Sequence, residues 1–378
     1  MNKLNTIELF AGCGGLLDGF EKTSQYNTIA CVEWNDYACK TLANRLKKNH
    51  KYFDADEKVI HFDIQRTEEL IEGWNDDPKY GDGEGLNQIV GNRKIDIIIG
   101  GPPCQAYSLA GRIQDKNGMK DDYRNYLFES YLQVVKVYNP KIIVFENVQG
   151  MLSAMPDGEL ITNKIRRGFN EIGFDIVDNI RELALLDLSE FNVPQKRKRV
   201  ILVGLNREYF GYEYENQKIL KHFYKEILSS YKKSKNPTVF EAIGDLPKLY
   251  PADSDYKVGS KKYSHSPNET GINGHVPRFH NRRDIELFRV LADDIASGKN
   301  KYASSEELKK LYTAITGRKS NVHKYYVLRW NEPSNTIPAH LKKDGLRHIH
   351  PDPEQARSIT VREAARLQTF DDDFEFLG

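Results

Sequence analysis

An α/β fold built on a doubly wound, mostly parallel sheet, with a second, smaller domain, is predicted by three features of this 378-residue chain. Strand-like and helix-like stretches alternate through residues 1–205, the pattern of a parallel sheet covered by helices on both faces. A glycine-rich turn, Phe10-Ala11-Gly12-Cys13-Gly14-Gly15, follows the first apolar run and opens a helix, where backbone can approach a ligand. A stiff turn at 100–108, GGPPCQAYS, follows the isoleucine-rich run 95–99, at the carboxyl edge where open sheets carry their chemistry.

The elements follow in order. Residues 6–10 read as the first strand and 29–33 as the second, which ends on Glu33 with Trp34 next. A carboxylate at that edge can accept from both hydroxyls of a ribose, and the indole offers a stacking face to adenine. Asp63 closes a short strand-like piece and can accept from an adenine amino group. Taken singly, Glu33 is also a surface charge, Trp34 a core residue and Asp63 a helix cap. The polar, glycine-bearing stretch 74–94 reads as a surface loop. Residues 95–99, 141–146 and 200–205 supply further strands, and the middle one delivers Glu146 to the same edge as Cys104. An acid there is costly to bury without a partner or a task. Ahead of the last strand, Gln195, Arg197 and Arg199 alternate along an extended segment and so share a face.

From residue 206 the composition turns Lys/Tyr-rich, and a second domain is expected over 206–356. Thr238 with Glu241 forms a capping box, and 282–297 reads as an amphipathic helix carrying Ile285, Phe288, Leu291 and Ile295, stopped by Gly298. A second capping box, Thr360 with Glu363, starts a helix in the final segment, 357–378. With 39% hydrophobic and 11% aromatic residues the chain can build a sizeable core. Its four cysteines lack disulfide or zinc spacing, so no metal is expected and a reducing cytoplasm fits. No signal-peptide core stands at the amino end, and no apolar run approaches the roughly 20 residues that span a bilayer, so no membrane partner is expected.

Net charge is +1, but residues 257–350 hold 18 Lys plus Arg against 9 Asp plus Glu. That local excess of +9 suits phosphate contacts, or else a solvated face. Cys104 also has two readings. Free cysteine commonly packs as a small hydrophobe, but two prolines and two glycines around this one hold its thiol as a candidate nucleophile.

The motifs PPCQ (102–105), ENV (146–148) and QxRxR (195–199), in this order, resemble the cytosine-5 DNA methyltransferases of bacterial and phage restriction-modification systems. The resemblance covers nearly the whole chain and implies a Rossmann-like fold that binds S-adenosylmethionine and releases S-adenosylhomocysteine. It implies that Phe10, Ala11, Gly12, Gly14, Gly15, Glu33, Trp34, Asp63, Ile64, Gly101, Pro103 and Leu127 line the cofactor site. Cys104 would attack C6 of cytosine, Glu146 would serve N3, Arg199 would hold O2, Arg197 would position the cysteine and nearby phosphate, and Gln195 belongs to the same catalytic run. The target base must leave the duplex for this, and 105–124 resembles the mobile loop that closes over it. Gln105, Ser108, Arg112 and Thr336 are the expected DNA contacts, with Tyr325, Tyr326, Arg329 and Trp330 as candidates in the 206–356 target-recognition domain.

The motif EAARLQTF (363–370) resembles the helix that packs this domain on the catalytic one. The family's GNxV-type motif is not found in the eight residues after Phe370. A longer parent chain is expected, against a segment from another chain or weakened cofactor binding. Double-stranded DNA is the expected partner of a monomeric enzyme, with a cognate restriction endonuclease encoded beside it. A tRNA-directed cytosine-5 methyltransferase and a catalytically silent DNA-binding protein are the alternatives. The missing GxGxxG argues against a nicotinamide oxidoreductase.

Overall fold

The isoleucine run and its neighbours pair as expected of chains buried on both faces. The computed structural model describes residues 2–103, 127–156, 158–266, 271–319, 325–338, 341 and 345–377. Strands β1 (Leu4–Leu9), β2 (Tyr26–Glu33), β3 (Val59–His61), β6 (Ile97–Gly100) and β7 (Ile142–Val148) form a parallel array in the order β3-β2-β1-β6-β7. Beyond β7 the sheet continues antiparallel through β11 (Lys198–Asn206) to β8 (Phe174–Ile176). The strand order reverses between β1 and β6, which puts the carboxyl ends of both at the crevice where such sheets bind ligands.

Alternate residues of each strand serve opposite faces. Ile7, Leu9, Ile98, Ile143 and Phe145 pack under the helices Leu127–Tyr138 and Ile161–Glu171, while Cys31, Ile97, Ile99 and Val144 pack under Gly15–Glu21 and Asp36–Asn49. The sheet is therefore covered on both sides, as the alternation predicted. Tyr131, fully buried, donates its hydroxyl to the Ile98 carbonyl at 3.0 Å and so ties its helix to β6. Arg45 and His50 hold the Asp18 carboxylate, at 2.6 and 2.8 Å, and fasten the helix behind the glycine turn. Burial opposes that charge, but those hydrogen bonds keep the Asp18 carboxyl well below the usual range.

The stretch 74–94 is not a plain loop. It contains a hairpin, β4 (Trp74–Asp77) with β5 (Gly81–Gly83), and a helix, Gly85–Val90. Asp77 Oδ1 accepts from the backbone of Lys79 and of Tyr80, both at 2.8 Å, which builds the turn. Trp74, buried, stacks on Phe62 with centroids 3.9 Å apart, and Gly83 lies so close to the indole that a Cβ there would meet Cζ2 at 2.2 Å. The polar composition hid a turn with an aromatic anchor.

Two compact units emerge. The first comprises Met1–Leu186, Lys198–Tyr231 and Phe376–Gly378, and the second Asp187–Arg197 and Lys232–Glu375. The boundary expected at 205 moves to 231 because Leu220 and Tyr224 join the sheet's core, with the Tyr224 hydroxyl bridging Val203 N and Ile201 O. Near the chain end, Leu377 N donates to Thr41 Oγ1 at 3.0 Å in the first unit.

The second unit has its own cores, around Phe288 and Leu291 of the helix Arg282–Ala296 and around Val239, Leu328 and Leu367. Both predicted capping boxes are present, at Thr238/Glu241 and Thr360/Glu363. The helix Val361–Arg366 is built into this unit: Arg362, fully buried, donates to the Asn273, Asp371 and Phe374 carbonyls. Beside it, fully buried Arg357 grips Glu363 through two contacts of 2.6 and 2.7 Å. Among the described residues no helix is long and apolar enough to cross a membrane.

Candidate active site

The glycine turn is shaped by residues that few side chains could replace. Phe10, Gly12 and Gly14 all have φ between 55° and 86°, and a Cβ on Gly14 would meet Leu42 Cδ1 at 2.4 Å. The turn is held against β2 twice: Ala11 N donates to the Val32 carbonyl at 3.0 Å, and Gly12 N donates to Glu33 Oε2 at 2.8 Å. Glu33 Oε1 accepts from Asn35 N, also at 2.8 Å. Glu33 is thus a buried residue with a task rather than a surface charge, and each oxygen keeps one more acceptor position for a ligand hydroxyl.

Trp34 is 59% exposed, which excludes the core reading and leaves its indole presented at the sheet edge. Its carbonyl lies 3.0 Å from His61 Nε2. Asp63 Oδ1 accepts from Gln65 N at 3.1 Å, so it also caps the next turn, and Ile64 beside it is buried. Leu127 is buried at the start of its helix. Beneath the turn lies Glu8, which sequence reasoning missed. It accepts from Leu17 N, and burial pushes its carboxyl well above the usual range, with Glu33 nearby adding to the rise. An acid inside an apolar strand was the available signal.

Across the switch point, the turn after β6 meets the end of β7. Glu146 and Arg199 stand on neighbouring strands, where Ile201 pairs Glu146 and Arg199 pairs Val148, and Arg199 Nε approaches Glu146 Oε1 to 2.7 Å. Gly101 is what leaves room: a Cβ there would sit 2.9 Å from Glu146 Oε2. Asn147, a second residue that sequence reasoning did not single out, is buried and donates to the Pro102 carbonyl at 3.3 Å. It steadies the turn that presents exposed Pro103. Cys104, Gln105, Ser108 and Arg112 lie outside the described residues. The three described cysteines are poor nucleophiles, since burial pushes Cys13 up to about 11, Cys39 to about 12, and Cys31 well above its ordinary value.

The QxRxR run does not act as one strip. Gln195 belongs to β10 (Gln195–Lys196), which pairs in parallel with β14 (Ser334–Asn335) in the second unit, while Arg199 belongs to β11 of the first. Gln195 is fully buried, donates to the Leu367 carbonyl at 3.2 Å and accepts from Ile337 N at 3.3 Å. Both ends of its amide thus bond to backbone of the second unit, which gives Gln195 a structural task there beside its expected place in the catalytic set. Arg197 lies in the second unit with it. Thr336 is exposed there and donates to the Lys196 carbonyl at 2.6 Å. Of the aromatic candidates, Tyr325 packs against the Phe288 and Tyr312 rings as part of a core, whereas Tyr326 takes a hydrogen bond of 2.9 Å from Arg329.

Residues 4–378 match the model of the C-5 cytosine-specific DNA methylase family. The chain belongs to this family. It is 32% identical to the type II methyltransferase M.Bpa9945I of Bacillus paralicheniformis, over 98% of this chain and 92% of that protein. It is 31% identical to M.DdeI of Desulfomicrobium norvegicum, over 99% and 80%. Among solved structures, an E. coli prophage protein assigned as a DNA modification methyltransferase superposes with a TM-score of 0.63 at 23% identity, covering 99% of this chain and 91% of that one. Both curated relatives are named type II methyltransferases, and the sheet of this methylase is the Rossmann-like sheet of the methyltransferases.

Proposed function

We propose that this methylase transfers the methyl group of S-adenosylmethionine to C5 of a flipped-out cytosine in a specific duplex DNA sequence, through a covalent bond between Cys104 and C6. The observation that carries the reading is the Glu146–Arg199 pair at the carboxyl edge of β7, with Gly101 cleared to admit it and Asn147 holding the Pro-Pro turn that leads to Cys104. The residues around the glycine turn fit the donor: Glu33 keeps acceptor positions for ribose hydroxyls, and the Trp34 indole is presented for an adenine. When bound, the donor supplies an electrophilic methyl on a positively charged sulfur.

The chain's own residues make C5 able to accept it. The Cys104 thiolate adds to C6, the C5–C6 π electrons move through the ring towards N3, and Glu146 meets the charge there with a proton or a hydrogen bond. Arg199 supports that carboxyl and offers N–H groups to O2. After the methyl has gone to C5, Glu146 takes back any proton it gave to N3, and transfer of the C5 proton to water lets the C6–S bond break and release Cys104 as its thiolate. Cytosolic residence, duplex DNA as partner and phosphate contacts from the basic segment 257–350 follow from the same reading.

The test is transfer of tritiated methyl to duplex DNA with trapping by 5-fluorocytosine at the target. Wild type is expected to form a denaturant-resistant adduct, and Cys104→Ala to form none and transfer nothing. Transfer by Cys104→Ala would sink the mechanism. Competition between tRNA and duplex DNA decides the substrate, and preference for tRNA would overturn the DNA assignment.

A further inference from the structure

The hairpin β4–β5 has no part in the chemistry above, yet it is anchored next to Trp34. Arg66 pairs with both Asp77 and Glu69, and its guanidinium lies 4.7 Å from the Phe62 ring centroid. Phe62 in turn stacks on Trp74, and Tyr80 packs on Phe62 and His61 with centroids 5.0 Å away in each case. Asp77 accepts the backbone N–H groups of Lys79 and Tyr80, and His61 reaches the Trp34 carbonyl. An exposed lysine is thereby delivered to a defined place. Lys79 Nζ donates to the Tyr80 hydroxyl at 2.6 Å and stands 5.9 Å from the centroid of the Trp34 ring.

We propose that Lys79 is a positioning residue for the methyl donor, its ammonium backing one face of the Trp34 indole and leaving the other for adenine. The proposal rests on the S-adenosylmethionine reading of the site. An indole as exposed as Trp34 loses rotamer freedom when a ligand stacks on it, and ordering it beforehand lowers that cost. A cation on one face attracts the ring quadrupole and does so without occupying the opposite face. The turn's anchoring on Phe62, the residue before Asp63, also ties the indole's support to the strand end that carries the second adenine contact. The hairpin thus acts as a back wall rather than as a contact to the donor.

Calorimetric titration with S-adenosylhomocysteine, alongside steady-state kinetics on duplex DNA, tests this. Lys79→Ala and Lys79→Met are expected to weaken binding about 2- to 5-fold, the worth of a cation over an exposed ring face. They are expected to raise KM for the donor in the same ratio with kcat held at saturation, and Lys79→Arg is expected to restore both. Affinity unchanged in Lys79→Ala overturns the proposal, as does Lys79→Met equal to wild type, which would assign the effect to the lysine stem. A folded wild type that fails to bind S-adenosylhomocysteine overturns the cofactor reading itself, and this proposal with it.

Discussion

Adding one methyl group at Gly101 should separate catalysis from folding. A Cβ there would lie 2.9 Å from Glu146 Oε2 and 3.6 Å from Glu146 Cβ, so the carboxyl must retreat by about half an ångström. Its other oxygen is held by Arg199 at 2.7 Å, and the retreat strains or breaks that pair. The group that gives way is the end of a flexible side chain, so Gly101→Ala should cost about 0.5–1.5 kcal/mol of stability, the price of one off-rotamer side chain. A positioned acid contributes about 10²–10⁴ in rate, and misplacement by about 1 Å forfeits about 10². We expect single-turnover methyl transfer at saturating donor, where donor affinity drops out, to fall about 10- to 100-fold, with Glu146→Gln marking the floor. Gly100→Ala is the contrast: its Cβ would meet the Leu9 carbonyl of the adjacent strand at 2.6 Å, so it should lose stability first. A folded Gly101→Ala enzyme within threefold of the wild-type rate would refute this placement of Glu146.

Gln195→Ala should behave oppositely, because it strips partners from the Leu367 carbonyl and Ile337 N inside the second unit. A loss of about 2–4 kcal/mol is expected in thermal or urea unfolding; a stable variant with abolished chemistry would contradict the structural task. The second unit should also be acid-labile. Burial pulls His265 down to about 4 and His280 and His350 to about 3, so the folded state keeps them neutral while the unfolded state protonates near 6.5. Their stabilising effect is complete above pH 6.5 and is lost as pH falls towards 4, by up to about 3 kcal/mol for the first of them and less than additively for the rest. Urea midpoints between pH 7 and 4 measure it, and a flat profile would contradict the buried neutral state.

How much was legible in advance varies with the range of the interactions involved. The parallel sheet, both capping boxes and the helix Arg282–Ala296 follow from local rules: alternation, a Ser/Thr or Asn start, an apolar stripe. The placement of Glu33, Trp34 and Glu146 at the carboxyl edge of the sheet was legible because strand ends at a switch point are few. The hairpin at 74–83 was not, because its stability comes from Trp74 on Phe62, and polar turn residues carry no sign of that contact. Glu8 and Asn147 were passed over for a similar reason, each being defined by a backbone partner 9 or 45 residues away.

The sequence by itself therefore determined the family, the order of the strands' chemistry and the identity of the candidate nucleophile, since these reside in residue types at short spacing. Tertiary structure alone decided how QxRxR divides. Alternation puts Gln195, Arg197 and Arg199 on one face, but strand pairing sends Gln195 to β14 and Arg199 to β7, and the buried Gln195 amide bonds to backbone at both ends. It likewise decided that His265, His280 and His350 of the basic segment are buried, where desolvation pulls their pKa values down, because desolvation depends on what surrounds a ring and not on its neighbours in the chain.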